Sequence, residues 1–230
     1  MGKKISIKMS AILLLLATTV AYGQDKKWQI NAEADLVSSY VWRGMYQSGV
    51  SIQPTLSLSA YGITLGSWGS SDFSTPAKEI DFFLSYETGG FSVDITDYWY
   101  RSEGESFFKE RGSHSLEAGL AYTFSEKFPL SLGMNTMFWG DEDKKENGKQ
   151  QYSTYLTASY SFAVKGIDCE TGIGISPWKG LYSEKLNVAS ITMRATKNLK
   201  LSGKYALPVF AELILSPAQD NAYLVFGLRF

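Results

Sequence analysis

The stretch "YLVFGLRF" (Tyr223–Phe230) decides how the rest of the chain is read. Counting back from Phe230, the residues Leu228, Phe226 and Leu224 are apolar at every second position. Residues two apart on a strand share one face, so the pattern describes a strand with one wholly apolar side. A ragged polar tail is the commoner end of a soluble domain. The same period of two runs through the chain. In the first segment Trp28, Ile30, Ala32, Ala34, Leu36, Tyr40 and Trp42 share one face, and Gln29, Asn31, Glu33, Asp35, Ser39 and Arg43 share the other. Next, Val50, Ile52, Leu56 and Leu58 alternate with Ser51, Gln53, Thr55 and Ser57. Similar segments occupy 63–68, 79–86, 91–100, 116–124, 130–139, 152–162, 167–176, 188–196, 199–207 and 222–230. The alternation predicts twelve strands and no helix with a 3.6-residue period after the amino-terminal segment.

The connections alternate in length. Residues 60–62, 88–90, 125–127, 164–166 and 197–198 read as tight turns. Residues 70–78, 101–113, 140–150, 177–185 and 208–220 read as longer polar loops, and 44–49 as a short one on the same side. Short turns at one end and long loops at the other are the habit of outer-membrane barrels. A soluble sandwich also alternates, but three features select the barrel. The polar face is rich in Ser, Thr, Gly and Asn and poor in Lys. Aromatic residues gather at strand ends, with Trp28, Tyr40, Trp42, Trp99, Phe138 and Tyr160 as candidates for two interfacial girdles. The terminal strand has the form of the signal, ending in Phe230, by which such barrels are assembled. The fold class predicted is all-β: an antiparallel transmembrane β-barrel of about 12 strands with both termini periplasmic.

The 230-residue chain carries a net charge of −1, one Cys and one His, and 14% of it is aromatic. Lys3, Lys4 and Lys8 precede an apolar run from Ala11 to Val20, and Ala21-Tyr22-Gly23 has a small-x-small form. These are the parts of a secretory signal, and the run falls short of the roughly 20 residues that a spanning helix needs. The expected organisation is a signal peptide, 1–23, then one barrel domain, 24–230, exported to the outer membrane of a Gram-negative cell. The expected partners are outer-membrane lipid, the barrel-assembly machinery and a small polar solute. The near-neutral charge gives no sign of nucleic acid, and a lone Cys169 permits no internal disulfide.

"SSYVWRG" (Ser38–Gly44) places an aromatic residue and an arginine together before a glycine. If the first strand continues to this point, Trp42 faces lipid at the outer girdle and Arg43 points into the lumen near the outer mouth. This stretch, with "SIQPTLSLS", "GSWGS" (Gly66–Ser70), "EIDFFLSY" (Glu79–Tyr86) and "DITDYWY" (Asp94–Tyr100), resembles the exported bacterial family Gcw_chp. The resemblance covers most of the first half of the chain. It implies a barrel and brings no activity with it.

Parity places Glu33, Asp35, Glu79, Asp81 and Asp94 on the inward face, with Glu117 and Glu170 further on. Arg43, Arg194, Lys200 and Lys204 are the inward basic residues. Asp97 falls on the other parity. Acidic groups on one wall and basic groups on the last strands make a transverse field suited to selecting polar solutes, with Glu79/Asp81 and Arg43 expected to share a charge network. The leading expectation is therefore a passive channel for small polar solutes. The alternatives are a non-conducting barrel that acts through its outer loops and a membrane-embedded hydrolase built on His114. Ser113 and Ser115 flank His114 but point away from it in a strand. "GDEDKKENGKQ" (Gly140–Gln150) has Lys145 where a calcium loop needs oxygen and misplaces its glycine, so neither a metal nor a cofactor is expected.

Overall fold

A computed structural model of the chain describes residues 28–75, 78–101, 114–140, 142–203 and 205–230. The export segment, Lys204, Asp141 and nearly all of the 101–113 loop lie outside the described residues. Twelve strands close into one antiparallel barrel: β1 (Gln29–Val37), β4 (Ser51–Ala60), β5 (Ile63–Asp72), β6 (Lys78–Thr88), β7 (Phe91–Arg101), β8 (His114–Ser125), β9 (Phe128–Gly140), β10 (Thr154–Val164), β11 (Ile167–Ser176), β12 (Asn187–Lys200), β13 (Ala206–Ser216) and β14 (Asn221–Arg229). The remaining two, β2 (Tyr40–Trp42) and β3 (Met45–Ser48), form a separate hairpin.

Alternation sets the two faces, and burial shows which is which. Buried side chains include Glu79, Asp81, Glu117, Thr154, Ser176 and Ser216, while Leu56, Leu65, Leu84, Ile95, Leu120 and Leu224 are exposed. A soluble domain shows the reverse. An apolar outer face of this extent is stable only against another apolar medium. At the short-turn end a belt of rings crosses the outer surface from β7 to β10. Phe91 meets Tyr122 at 4.5 Å, Tyr122 meets Phe124 at 4.9 Å, Phe124 meets Phe128 at 5.9 Å and Phe128 meets Tyr160 at 6.0 Å.

Closure is uneven. β1 pairs with β4 over its whole length, from Gln29↔Ser59 to Val37↔Ser51. Against β14 it pairs only Asp35↔Arg229, Leu36↔Leu228 and Val37↔Gly227. Two backbone bonds between Ala34 and Phe230, 3.0 and 3.3 Å, extend this seam at one side, and Ser38 N–H to the Phe226 carbonyl, 2.8 Å, at the other.

Two expectations are corrected. No turn occurs at 197–198: β12 runs on to Lys200, with Lys197 opposite Val209 and Asn198 opposite Pro208. The chain turns back beyond Lys200, where the Leu201 and Ser202 N–H groups donate to the Tyr205 carbonyl, and β13 takes in residues 206–207 of the expected strand 199–207 and residues 208–216 of the expected long loop. Pro208 reads as a breaker, yet a strand tolerates proline where the ladder does not call for its N–H. The first strand does not continue to Arg43 either. It leaves the wall after Val37, and the chain turns inward.

Candidate functional site

The inward turn is the hairpin β2–β3. Its tip is the dipeptide Arg43-Gly44, with φ of 51° and 83°. Two central residues with positive φ make the primed turn whose twist matches paired strands. Tyr61-Gly62 (53°, 80°) and Lys165-Gly166 (49°, 73°) do the same at the barrel's short-turn end. Gly44 has a second reason to lack a side chain. A Cβ there would run into the Ala189 carbonyl and come within 2.8 Å of Ser216 Oγ.

The hairpin reaches across the barrel. Tyr40 packs on Trp68 of β5 at 5.4 Å, and Trp42 on Tyr98 of β7 at 5.5 Å. On the far wall Val41 packs on the cluster of Val37, Phe210, Ile214 and Val225, and Tyr46 stacks on Tyr223 at 6.2 Å. The return is pinned where Gly49 N–H donates to Asp72 at 2.7 Å.

Arg43 fastens the tip. Its Nη1 and Nη2 donate to the two oxygens of Glu117 on β8, at 2.5 and 2.7 Å. This two-pronged, charge-assisted geometry is the strong form of the pair. Arg43 Nη1 also donates to the Tyr182 hydroxyl, and Tyr98 donates to Glu117 at 3.0 Å. The guanidinium lies 4.6 Å from the Trp42 ring, 4.8 Å from Tyr155 and 5.3 Å from Tyr182. Ring faces attract a cation most when water is excluded. Tyr182 is fully buried although it belongs to the connection between β11 and β12.

The short-turn half of the lumen differs. It holds a cavity of about 740 Å³ lined by Glu170, Arg194, Thr196, Asn198, Phe210 and Arg229, among others. Arg194 sits 3.8 Å from Glu212 and 3.6 Å over the Phe210 ring. Arg229 donates to both oxygens of Asp35 at 2.7 Å, with Glu33 3.7 Å away. Lys200 has inward parity, opposite Ala206, and is exposed.

Of the residues singled out in the sequence, Glu33, Asp35, Glu79, Asp81, Asp94, Arg194 and Arg43 all sit on the lumen side, but their partnerships differ from expectation. Arg43 pairs with Glu117 and not with Glu79/Asp81. Tyr40 and Trp42 are not on the lipid face: the hairpin carries both rings inside. Trp28, Phe138 and Tyr160 are exposed, whereas Trp99 is buried and stacks on His114 at 6.3 Å. Asp97 has the outward parity and meets His114 Nδ1 at 3.0 Å through either oxygen. Ser115 points the other way and is buried, so it does not complete a catalytic triad with them. Arg229, Tyr155 and Tyr182 were missed. The alternation back from Phe230 already places Arg229 inward, but nothing local marks Tyr182.

The model of a family described as a bacterial protein of unknown function, Gcw_chp, matches residues 21–205, well beyond the stretches quoted above. Among curated proteins none matches the chain. Among solved structures, an outer membrane channel from Pseudomonas putida F1 is similar at 15% identity, covering 92% of this chain and 97% of that one, with a TM-score of 0.44. A mutant porin from Rh. blastica is similar at 11% identity, covering 87% and 73%, with a TM-score of 0.41.

Proposed function

The chain belongs to the Gcw_chp family, and from that premise and the lumen geometry we propose that it is an outer-membrane channel for small polar solutes whose passage is throttled by the hairpin β2–β3. In this reading residues 1–23 are the export signal and 24–230 the barrel, folded into lipid by the assembly machinery that recognises the strand ending in Phe230. The short-turn end faces the periplasm. The belt from Phe91 to Tyr160 then lies at the inner interface of the membrane, where aromatic rings are favoured.

The observation that carries the reading is the hairpin itself. It bridges opposite walls of the lumen, and the wall it meets presents carboxylates, hydroxyls and an arginine. Below it lies the cavity of about 740 Å³, open to the lumen face of β10–β14. A barrel that serves only as a wall can fill its lumen with apolar side chains from its own strands. This one uses a separate element, packed on the walls by Tyr40, Val41, Trp42 and Tyr46 and fastened at its tip by Arg43, which belongs to no wall strand and so can move without opening the barrel. Selectivity falls to Glu79, Asp81 and Asp94 on one side and Arg194 on the other, with Glu33, Asp35 and Lys200 towards the periplasm.

The test is conductance in planar bilayers of the full barrel and of a variant in which 38–50 is replaced by a short turn. The expected result is small or infrequent steps for the natural barrel and large, sustained steps for the variant. Silence from both, with each folded by heat-modified gel mobility, overturns the channel and moves attention to the outer connections. Equal conductance from both overturns the throttle.

A further inference from the structure

We propose that Glu79 and Asp81 form a binding site for a small protonated amine, beneath the hairpin. The two carboxylates lie two residues apart on the inward face of β6 and are only 4% and 6% exposed. Each is partly satisfied: Glu79 accepts hydrogen bonds from the hydroxyls of Tyr40 and Tyr100, and Asp81 accepts one from the backbone of Trp99. One oxygen of each nevertheless has no partner, Oε1 of Glu79 and Oδ1 of Asp81. Among the described residues the one other buried side-chain atom in this condition is Ser115 Oγ. It lies in the same register row, since Asp81 opposes Tyr98 and Tyr98 opposes Ser115. Among the described residues the buried side-chain atoms without a hydrogen-bond partner thus fall on one patch of lumen wall.

Charge points the same way. Among the described residues the charged groups that act most on Asp81 are Glu79, Asp97 and Glu117, all acidic, and Glu142 acts on Glu79. Arg43, the nearest cation of the lock, spends both terminal nitrogens on Glu117. Buried like charges without a counterion are costly, and a bound cation relieves both carboxylates together.

The surroundings select the kind of cation. Trp68 and Tyr98 face Asp81 from the strands on either side, and the Tyr40 ring lies 5.4 Å from that of Trp68. Aromatic faces favour a cation at close range. Hard divalent ions need six or more oxygens, and among the described residues no group of three His, Cys, Asp or Glu is placed to hold a metal. A primary ammonium brings three N–H donors on one compact charge and needs fewer ligands. Two free carboxylate oxygens and ring faces suit it.

This site goes beyond the channel reading, because binding does not require passage. The test is a titration of the full-length protein in detergent micelles with methylammonium chloride, read by tryptophan fluorescence because Trp68 lines the site. Potassium chloride at the same ionic strength is the reference. The expected result is a saturable change at least tenfold tighter for methylammonium than for potassium, weakened at least tenfold by Glu79→Gln and by Asp81→Asn. The absence of a saturable change in the natural protein overturns the proposal, whatever the variants do. So does equal affinity for the two ions, or binding that survives both substitutions in folded protein. A silent planar bilayer would overturn the channel and leave this titration standing.

Discussion

Two arginine clasps act in one lumen, and the difference between them separates what holds the barrel from what fills it. Arg229 donates to Asp35 from adjacent wall strands and staples the short seam where the first and last strands meet. Arg43 donates to Glu117 from the tip of a hairpin that belongs to no wall. Both are two-pronged, with contacts of 2.5–2.7 Å. Their surroundings are opposite. The Arg229 side chain is 43% exposed, whereas that of Arg43 is 12% exposed and its partner Glu117 only 1%. Water screens the first pair and is excluded from the second. The first is therefore backed by the seam's backbone bonds, whereas breaking the second leaves a buried carboxylate with neutral tyrosine hydroxyls in place of a cation.

The sharpest way to break the comparison is Arg43→Ala. It leaves Glu117 buried and uncompensated, a loss of about 3–5 kcal/mol, and it frees the hairpin. The expected outcome is a lower urea midpoint in detergent together with larger conductance steps. Gly44→Ala comes next. It forces a side chain into a positive φ already closed by Ala189 and Ser216, at a cost of about 1–3 kcal/mol, and again conductance rises. Gly62→Ala, in a turn of the same form, lowers stability and leaves conductance alone.

Arg229→Ala is expected to cost only about 1 kcal/mol and to leave single-channel steps unchanged. Salt sharpens the contrast. Near 1 M the screening length falls to about 3 Å, so the stability difference between Arg229→Ala and the natural protein shrinks while that for Arg43→Ala persists, both read from urea midpoints. The smallest effect on conductance belongs to His114→Ala. The Asp97–His114 contact lies on the outer side of the wall, away from the lumen lock. A lower urea midpoint, from the lost contacts to Asp97 and Trp99, and unaltered conductance are expected, and the lipid-hydrolase reading requires instead that a measured hydrolysis vanish with this substitution.

The wall was legible because its grammar is local. Leu224, Phe226 and Leu228 face out and Val225, Gly227 and Arg229 face in by period alone, and the same holds for β4 to β11. Where Pro208 interrupts the apolar pattern the reading slipped, since one residue type cannot show whether its missing N–H falls on a ladder position. The hairpin was half legible. Arg43-Gly44 has the same form as Tyr61-Gly62 and Lys165-Gly166, both read as tight turns, and the aromatic residues on either side of it alternate. What hid it was length: β2 spans only three residues and β3 four, too short for a period to declare itself.

The sequence by itself determined that strands of about ten residues alternate apolar and polar, that their turns are short on one side, and that acidic groups such as Glu79 and Asp81 share the inward face. These follow from the fixed alternation of side chains along a strand. Only the tertiary structure decided that residues 40–48 fold into the lumen rather than extend the wall. The contacts that fix that choice join Arg43 to Glu117, 74 positions away, and to Tyr182, 139 positions away. No local pattern encodes such a meeting, because it exists only once the barrel has closed and brought β8 and the connection beyond β11 around the same enclosed space.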